Sequence, residues 1–310
     1  MTRRSWLLMG LLAALWGASY LFIKVALDGG FDPIFIVFAR LALGALVLVP
    51  IAIRSSALGA VRGRLAPIAV LAAVQVVVPF LLITYGERHI ASSLAGILVS
   101  AAPILTALLA IRMDADERPR GIAAAGVVVG IVGVVLLFGL DLSGDAQALV
   151  GGLMVLLAAF GYAIGSLYLK RELRGVPAAG IAASTLVVGS LALAPAALFA
   201  LPVGAVSAEA VGSLLALGAG GTGIAFLVFY TMIADVGPSR ALLVSYIAPG
   251  FAVLYGVWLL DEPLTTAALL GLVLILAGSW IAAEDRLPGQ GRRTVAPAAP
   301  LEPPPVREVA

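Results

Sequence analysis

The chain of 310 residues contains no cysteine, a single histidine and only two lysines. Without cysteine it can form no disulfide, no thiolate metal site and no thiol nucleophile. The one histidine, His89, lies in a predicted loop with Arg88, and the chain lacks the further ligands that a metal site there would need. Charged residues make up 12% of the sequence and the net charge is +2, too small for a nucleic-acid-binding surface. We therefore expect no metal, no cofactor and no nucleic-acid partner.

Apolar residues are abundant instead. They make up 62% of the sequence, and the mean hydropathy of +1.13 is far above that of a soluble domain. The apolar runs are continuous rather than alternating, and each is near the roughly 20 residues with which a helix crosses a bilayer. The first run is too long for the apolar core of a cleaved signal peptide. The ten segments are 5–27, 33–53, 65–85, 90–111, 120–140, 148–169, 178–201, 210–233, 240–260 and 266–283. The sequence thus predicts an all-α integral membrane protein with ten transmembrane helices.

A pattern of seven residues in the first half of the chain recurs in the second half, in the same order. The offset is 146 positions up to a proline and 145 from an acidic pair onward. The matched pairs are Ser93 and Ser239, Ala95 and Ala241, Pro103 and Pro249, Asp116 and Asp261, Glu117 and Glu262, Gly126 and Gly271, and Gly133 and Gly278. Such regular self-similarity indicates an internal duplication.

Further matches extend the duplication over the whole chain. Trp16 and Tyr162 lie 146 positions apart, as do the two lysines, Lys24 and Lys170, whereas Gly44 and Gly189, and Pro50 and Pro195, lie 145 positions apart. A chain with so few lysines that carries one at the same place in both copies suggests that a compact ammonium group is needed there. Glycines on one face of matched helices also predict close helix packing; they are Gly126, Gly130, Gly133, Gly271 and Gly278.

The duplication divides the chain into two five-helix repeats, 1–146 and 147–284, followed by a proline-rich tail, 285–310, that we expect to be disordered. Because five is odd, the second repeat enters the membrane upside down, an arrangement typical of alternating-access transporters. With the N-terminus in the cytoplasm, every Lys and Arg falls on the cytoplasmic side except Lys24, Arg40 and Arg88. This bias predicts that both termini are cytoplasmic.

These features together resemble the drug/metabolite transporter superfamily, in its bacterial ten-helix EamA-type branch. The resemblance covers roughly residues 5–284. The matching residues are Trp16, Gly17 and Lys24, the stretch from Ser93 to Pro103, Glu117, Gly126 and Gly133, and in the second copy Pro249, Glu262, Gly271 and Gly278. The resemblance implies a transporter in the bacterial inner membrane that exports or exchanges amino acids, other metabolites or toxic compounds. The first acidic pair lies in a longer charged loop than the second, which suggests that the two ends gate differently.

In a duplicated transporter the substrate is expected near the midplane, at interrupted helices. Segments three, four, eight and nine carry interruptions, at Pro79, Pro103, Gly220–Gly221 and Pro249. The candidate residues in these segments and in segments one and six are Gln75, Ser100, Thr106, Thr222, Phe226, Tyr230, Ser245, Tyr246, Trp16, Ser19, Tyr162 and Ser166. Gln75 stands out because a buried amide is costly without a partner. The alternative is that the hydroxyls bond their own helix carbonyls and the rings pack.

Arg40 is the only charged side chain well inside a predicted segment. An intramembrane charge is rare and is a functional hypothesis by default, here the binding of a substrate carboxylate. The alternatives are a structural pair with Asp28 or Asp32, or a side chain that extends toward the membrane surface.

Inverted symmetry suggests one ion pair at each mouth of the transporter. Lys24 and Glu262 are expected at the outer face, and Lys170 and Glu117 at the inner face. Each pair would gate its mouth by strengthening as that mouth closes and excludes water. The alternative is that each lysine only anchors its helix at the interface.

The leading interpretation is a secondary transporter that moves amino acids, possibly aromatic ones, or related compounds, as a monomer in the bilayer. Efflux of drugs or toxic compounds is the alternative within the family. A lipid-modifying membrane enzyme lacks the acid–base residues that it would need, and the duplication disfavours a channel. All acidic residues fall in predicted loops, tails or helix ends, which favours a facilitator or exchanger over a proton-driven pump.

The charge bias generates a direct test of topology. Reporter fusions at Asp145 and Ala205 should report the outside, and fusions at Ser56 and Arg174 the inside. An inside signal at Asp145 would contradict the ten-helix topology.

Overall fold

The computed structural model describes residues 1–113, 119, 121–142 and 144–284. Within these ranges the chain forms helices and no strand, and the prediction of ten membrane helices is confirmed. Nine are long and apolar enough to cross a bilayer, and the remaining one, α9, has 16 residues. The helices are α1 Arg3–Asp28, α2 Pro33–Arg54, α3 Leu65–Gly86, α4 Ser92–Val99 continued as Ala102–Met113, α5 Ile122–Leu140, α6 Ala146–Glu172, α7 Ala178–Phe199, α8 Ala208–Val236, α9 Val244–Leu259 and α10 Thr266–Glu284. The predicted tail lies outside the described residues.

Several helices begin at a side chain that accepts hydrogen bonds from free backbone amides. Thr2 accepts from Ser5 N at the start of α1, and Asp145 accepts from two amides at the start of α6. Asp32 accepts from Ile34 N, and Pro33 follows it as the first residue of α2. Proline suits that position because its missing amide would have no partner there. These signals explain why the predicted segments and the helices agree closely.

Two helices contain a π-helical stretch, and the two stretches occupy matching places in the repeats. They are Ala72–Val77 in α3 and Ala216–Ile224 in α8, and the offset of 145 carries 72–77 onto 217–222. π-helical turns are rare and often occur at functional sites. The predicted interruptions at Pro79 and Gly220–Gly221 therefore coincide with real irregularities.

The other two predicted interruptions differ in outcome. Helix α4 breaks at Ser100–Ala101, two residues before Pro103. Helix α9 runs through Pro249, and the turn lies instead at Leu242–Leu243, between α9 and a short helix at Pro238–Ala241. The expected break at Pro249 was therefore wrong.

The helices pack in pairs that are related by exchange of the two repeats. Helix α5 packs along α10, and α2 packs along α7. Helix α1 packs against α9 as α6 packs against α4, and α1 and α2 pack against α8 as α6 and α7 pack against α3. This pattern is the pseudo-two-fold symmetry expected of a duplicated five-helix unit. The repeat boundary at 146 stays a prediction.

Glycine allows a close contact between α5 and α10. A Cβ at Gly126 would lie 2.6 Å from Ala282 N and 2.8 Å from Gly278 O. One at Gly133 would lie 2.9 Å from Gly271 O. The matched glycines therefore meet crosswise, Gly126 with Gly278 and Gly133 with Gly271, as an inverted pair requires. The predicted packing role of these glycines is confirmed.

This contact predicts that two glycine-to-alanine substitutions differ in their effect on the stability of the protein. Gly278→Ala places a methyl group against the backbone of α5 and should cost about 1–3 kcal/mol, because backbone cannot move aside as a side chain can. Gly250→Ala, in α9, meets no atom within 4 Å and should be neutral or slightly stabilising. Thermal unfolding of the purified variants in detergent measures both. A Gly278→Ala protein as stable as the Gly250→Ala protein would contradict the packing described.

Candidate functional site

Arg40 is buried between the two repeats. It lies on α2, is 7% exposed, and donates from Nε to Thr222 Oγ1 at 2.9 Å. The guanidinium carbon lies 3.8 Å from the centre of the Phe80 ring, a cation–π contact. Thr222 donates in turn to Leu217 O, within the π-helical stretch of α8. The site thus joins α2 and α3 of the first repeat to α8 of the second.

The alternatives considered for Arg40 are not what the structure shows. Asp32 caps α2, and the Asp28 carboxylate lies 3.7 Å from Lys24 Nζ. Tyr20, Tyr162 and Glu87 interact electrostatically with the guanidinium. Within the described ranges, the one side-chain hydrogen bond of Arg40 is made by Nε, so its two terminal amino groups remain available as donors. Such a fork is suited to a carboxylate. We call Arg40, Thr222, Phe80, Tyr20 and Tyr162 the Arg40 site.

The repeat symmetry shows that the scaffold does not itself need the Arg40–Thr222 pair. The offset of 145 carries Arg40 onto Thr185 and Thr222 back onto Val77. The surrounding packing is shared: Gly44 lies against Thr222, and its mate Gly189 lies against Val77. The second repeat therefore builds the same helix contact without a charge. A buried charge present in only one of two equivalent contacts indicates a function other than packing.

The aromatic candidates come together beside this site. The ring centroids of Trp16 and Phe226 are 6.3 Å apart, and those of Phe226 and Tyr230 are 6.0 Å apart. Tyr162 belongs with Phe226 and Tyr230 to one apolar cluster. Phe229, which the sequence did not single out, lies 5.3 Å from Trp16. Trp16, Phe226, Phe229 and Tyr230 therefore form one aromatic region, and Tyr162 packs against the same apolar cluster as Phe226 and Tyr230.

The candidate hydroxyls mostly bond their own helices, as the alternative interpretation expected. Ser19 donates to Leu15 O, Ser100 to Ile97 O, and Ser166 to Ala163 O. Thr106 donates to Ala102 O, and Ser245 is half-buried on α9. Thr222 is the exception, because it also accepts the Arg40 bond.

Gln75 and Tyr246 lie in two other places. Gln75 is half-buried in the π-helical stretch of α3, where its side chain packs against Gly165 of α6. The Tyr246 hydroxyl donates to Ser279 O at 3.4 Å, and Ser279 donates to Ser100 O. Tyr246 thus belongs to the contact of α9 and α10 with α4. The predicted residues do not form one continuous site.

Glu262 does not pair with Lys24, the partner that the repeat symmetry suggested. Its two carboxylate oxygens accept from Ser92 N at 2.6 Å and Ser93 N at 2.9 Å. Lys24 instead donates to Glu87 O at 3.2 Å. The expected Lys24–Glu262 ion pair is therefore not formed in this conformation. Glu262 caps the positive N-terminus of α4 from the opposite repeat, where four amides would otherwise lack partners.

The inner ion pair between Lys170 and Glu117 stays a prediction. Lys170 is exposed at the end of α6, and Glu117 lies outside the described residues. Asp235, an acidic residue near the end of α8, has its carboxylate oxygen Oδ2 3.5 Å from Nη1 of the exposed Arg4.

Glu87 is the residue that sequence reasoning missed. It follows α3 directly and was predicted to lie in a loop, and it is 0% exposed. Gly86 and Gly151 bring α3 and α6 into close contact beside it, with the Glu262 segment nearby. Burial raises the pKa of the Glu87 carboxyl well above its usual range, and Glu262 raises that pKa further, whereas Lys24 and Arg40 lower it. Glu87 lies at a helix end, as the sequence predicted, but its burial there was not predicted.

Comparisons with known proteins agree with this architecture. A sequence model of the EamA-like transporter family matches residues 4–139 and again residues 149–283. The uncharacterized inner membrane transporter YedA of Escherichia coli (strain K12) is 28% identical over 280 residues, 87% of this chain and 88% of that protein. The uncharacterized transporter YoaV of Bacillus subtilis (strain 168) is 28% identical over 203 residues, 64% of this chain and 69% of that protein.

Two further matches concern function and fold. A probable amino-acid metabolite efflux pump of Escherichia coli (strain K12) is 27% identical over 200 residues, 61% of this chain and 67% of that protein. A solved structure described as "Crystal structure of protein" superposes with a TM-score of 0.65 at 21% identity and covers 91% of this chain and 98% of that chain. The second match shows likeness of fold alone.

The Glu262 cap predicts the effect of removing its charge. Glu262→Gln leaves one accepting oxygen for two amides and should lower the free energy of unfolding by about 1–2 kcal/mol. The double variant Lys24→Glu with Glu262→Lys should be less stable than either single variant. Glu262→Lys removes the acceptor for Ser92 N and Ser93 N, and Lys24→Glu removes the donor to Glu87 O. Thermal unfolding in detergent measures each variant against Glu209→Gln, an exposed glutamate in the first turn of α8. Rescue by the double charge swap would restore the ion-pair interpretation.

Proposed function

Because the chain belongs to the EamA-like transporter family, we propose that it is a secondary transporter that exports or exchanges amino acids or closely related metabolites by alternating access. Its place is a bacterial inner membrane, with both termini in the cytoplasm. The two repeats supply the symmetric, oppositely oriented halves that such a mechanism uses. The similarity to a probable amino-acid metabolite efflux pump supports the same substrate class.

The observation that carries the proposal is the buried guanidinium of Arg40. Two of its features fix its position without using its terminal amino groups: Nε is bound to Thr222, and one face is covered by Phe80. A carboxylate that approached from the side of Tyr20 and Tyr162 would meet two parallel donors in a water-poor environment, where charge-assisted bonds are strong. We therefore assign the substrate carboxylate to Arg40.

The aromatic region next to the Arg40 site favours substrates that carry a ring. Trp16, Phe226 and Tyr230 offer faces and edges to a planar group, and Phe226 shares a cluster with Tyr162 of the Arg40 site. Aromatic contacts of this kind contribute about 0.5–1.5 kcal/mol beyond area burial. An aromatic amino acid would use both regions. A cationic or neutral toxic compound, the second candidate, would use the rings and not Arg40.

The Arg40 site also lies between the two repeats, so their relative motion during alternating access would change its geometry. Arg40 and Thr222 belong to different repeats, and Thr222 lies in the π-helical stretch of α8. Relative motion of the repeats would separate the two side chains. Binding of a carboxylate would then depend on the state of the transporter, as alternating access requires.

Replacement of Arg40 by glutamine tests the assignment. Loss of a charge-assisted contact worth about 1.5–3 kcal/mol should weaken binding of a carboxylate substrate about 10- to 100-fold. Binding is measured by the shift in thermal unfolding of the purified protein across a panel of aromatic and aliphatic amino acids. Each amino acid is paired with its carboxamide, which lacks the charge.

Arg54→Gln is the matched control, because Arg54 is exposed at the end of the same helix. It should bind every compound as the unmodified protein does. Equal loss of amino acids and carboxamides in Arg40→Gln would show a structural role. Undiminished amino-acid binding in Arg40→Gln would place the carboxylate elsewhere.

A further inference from the structure

Glu87 is a fully buried carboxyl group for which the described residues supply no hydrogen-bond partner. It is 0% exposed, and neither Oε1 nor Oε2 has a donor among those residues. A carboxylate left unpaired in such a place is costly, and the group avoids the cost by binding a proton. The matching place in the second repeat holds Met232 and Ile233, so the fold does not require an acid there.

The charges around Glu87 come from several elements. From α1, Lys24 donates to its backbone carbonyl at 3.2 Å, and Asp28 and Tyr20 act on it electrostatically. From α2 it is influenced by Arg40, and from the segment before α10 by Glu262. The Glu262 carboxylate is committed to the amides of α4. Glu87 is therefore within electrostatic range of a second carboxylate, Glu262, and of the cation of the Arg40 site.

From this geometry we propose that Glu87 is a proton-binding site, and that the end of the transporter formed by α1, the α3–α4 connection and Glu262 closes with Glu87 protonated and opens with it ionised. The proposal rests on the alternating access of the proposed function. On opening, the O–H bond of Glu87 breaks, the proton passes to water, and the carboxylate becomes hydrated. On closing, a proton from the same water rebinds.

The direction of the pH effect follows from the difference in proton affinity between the two states. In the closed state burial raises the pKa of Glu87, with a further increase from Glu262, so the neutral form is favoured. In the open state a hydrated Glu87 returns toward the usual value of about 4.3. The closed state thus binds more protons, and its population falls as the pH rises from the open-state pKa to the closed-state pKa. For one proton the change is at most about tenfold per pH unit.

Because the chain contains no cysteine, the pH-dependent opening and closing of this end can be measured by single-cysteine labelling. Ser92→Cys is the reporter, since Ser92 is buried beside Glu262 and its hydroxyl oxygen has no partner within the described chain. Ala205→Cys, on an exposed loop, corrects for the pH dependence of the thiol itself. The purified protein is labelled with a soluble maleimide from about pH 5 to about pH 8, a range above the usual pKa of glutamate.

We expect the corrected labelling rate of the Ser92→Cys reporter to rise at least about tenfold over this range with Glu87 present. Glu87→Gln, which imitates the protonated form, should give slow labelling whose corrected rate does not change with pH. The matched control Glu209→Gln should leave the rise intact. The unmodified Glu87 gives its own pH profile, so the test stands even if Glu87→Gln does not fold.

A corrected rate that does not depend on pH in the presence of Glu87 would overturn the proposal, as would an unchanged rise in Glu87→Gln. No substrate is present in this assay. A failure of the carboxylate assignment at Arg40 would therefore leave the labelling result untouched, and the two proposals fail separately.

Discussion

The apolar surroundings of a membrane protein set the condition on which this structure depends: a polar group inside must find a partner within the chain. Most of the groups described here do so. Ser19, Ser100 and Ser166 bond their own helices, and the Glu262 carboxylate satisfies two amides at the start of α4. Arg40 and Glu87 stand out against this background. One has donors to spare, the other has no described donor, and they act on each other electrostatically.

Duplication explains why these two residues are informative. The repeats build equivalent contacts twice, down to Gly44 with Thr222 and Gly189 with Val77. Any residue that packing alone required should have a similar mate. Arg40 corresponds to Thr185, and Glu87 corresponds to apolar residues. In the proposed function, the symmetric repeats are the two halves that exchange access, and the charges present in only one repeat select the bound substrate.

The fold was largely predictable, because hydropathy, the positive charges and the repeated glycines each depend on local sequence. The position of Arg40 inside a membrane helix was also predictable, since a lone arginine in an apolar segment is visible in the sequence. Glu87 was not, because burial of a residue just beyond a helix end depends on Gly86 and Gly151 bringing α6 over it. The predicted pairing of Glu262 with Lys24 was wrong, because the backbone amides at the start of α4 bind the carboxylate instead. The repeat symmetry relates positions in the two copies, but it does not show which donors compete for a carboxylate.

The central claim, that this chain carries a carboxylate-bearing metabolite across the membrane, is tested most directly by counterflow. Proteoliposomes containing the purified protein are loaded with one unlabelled amino acid at a time, and entry of the same labelled compound is followed without any imposed gradient of ions. We expect transient accumulation of the label for at least one amino acid, most strongly an aromatic one, and none for its carboxamide. Absence of counterflow for every amino acid, or equal counterflow of acid and carboxamide, would contradict it.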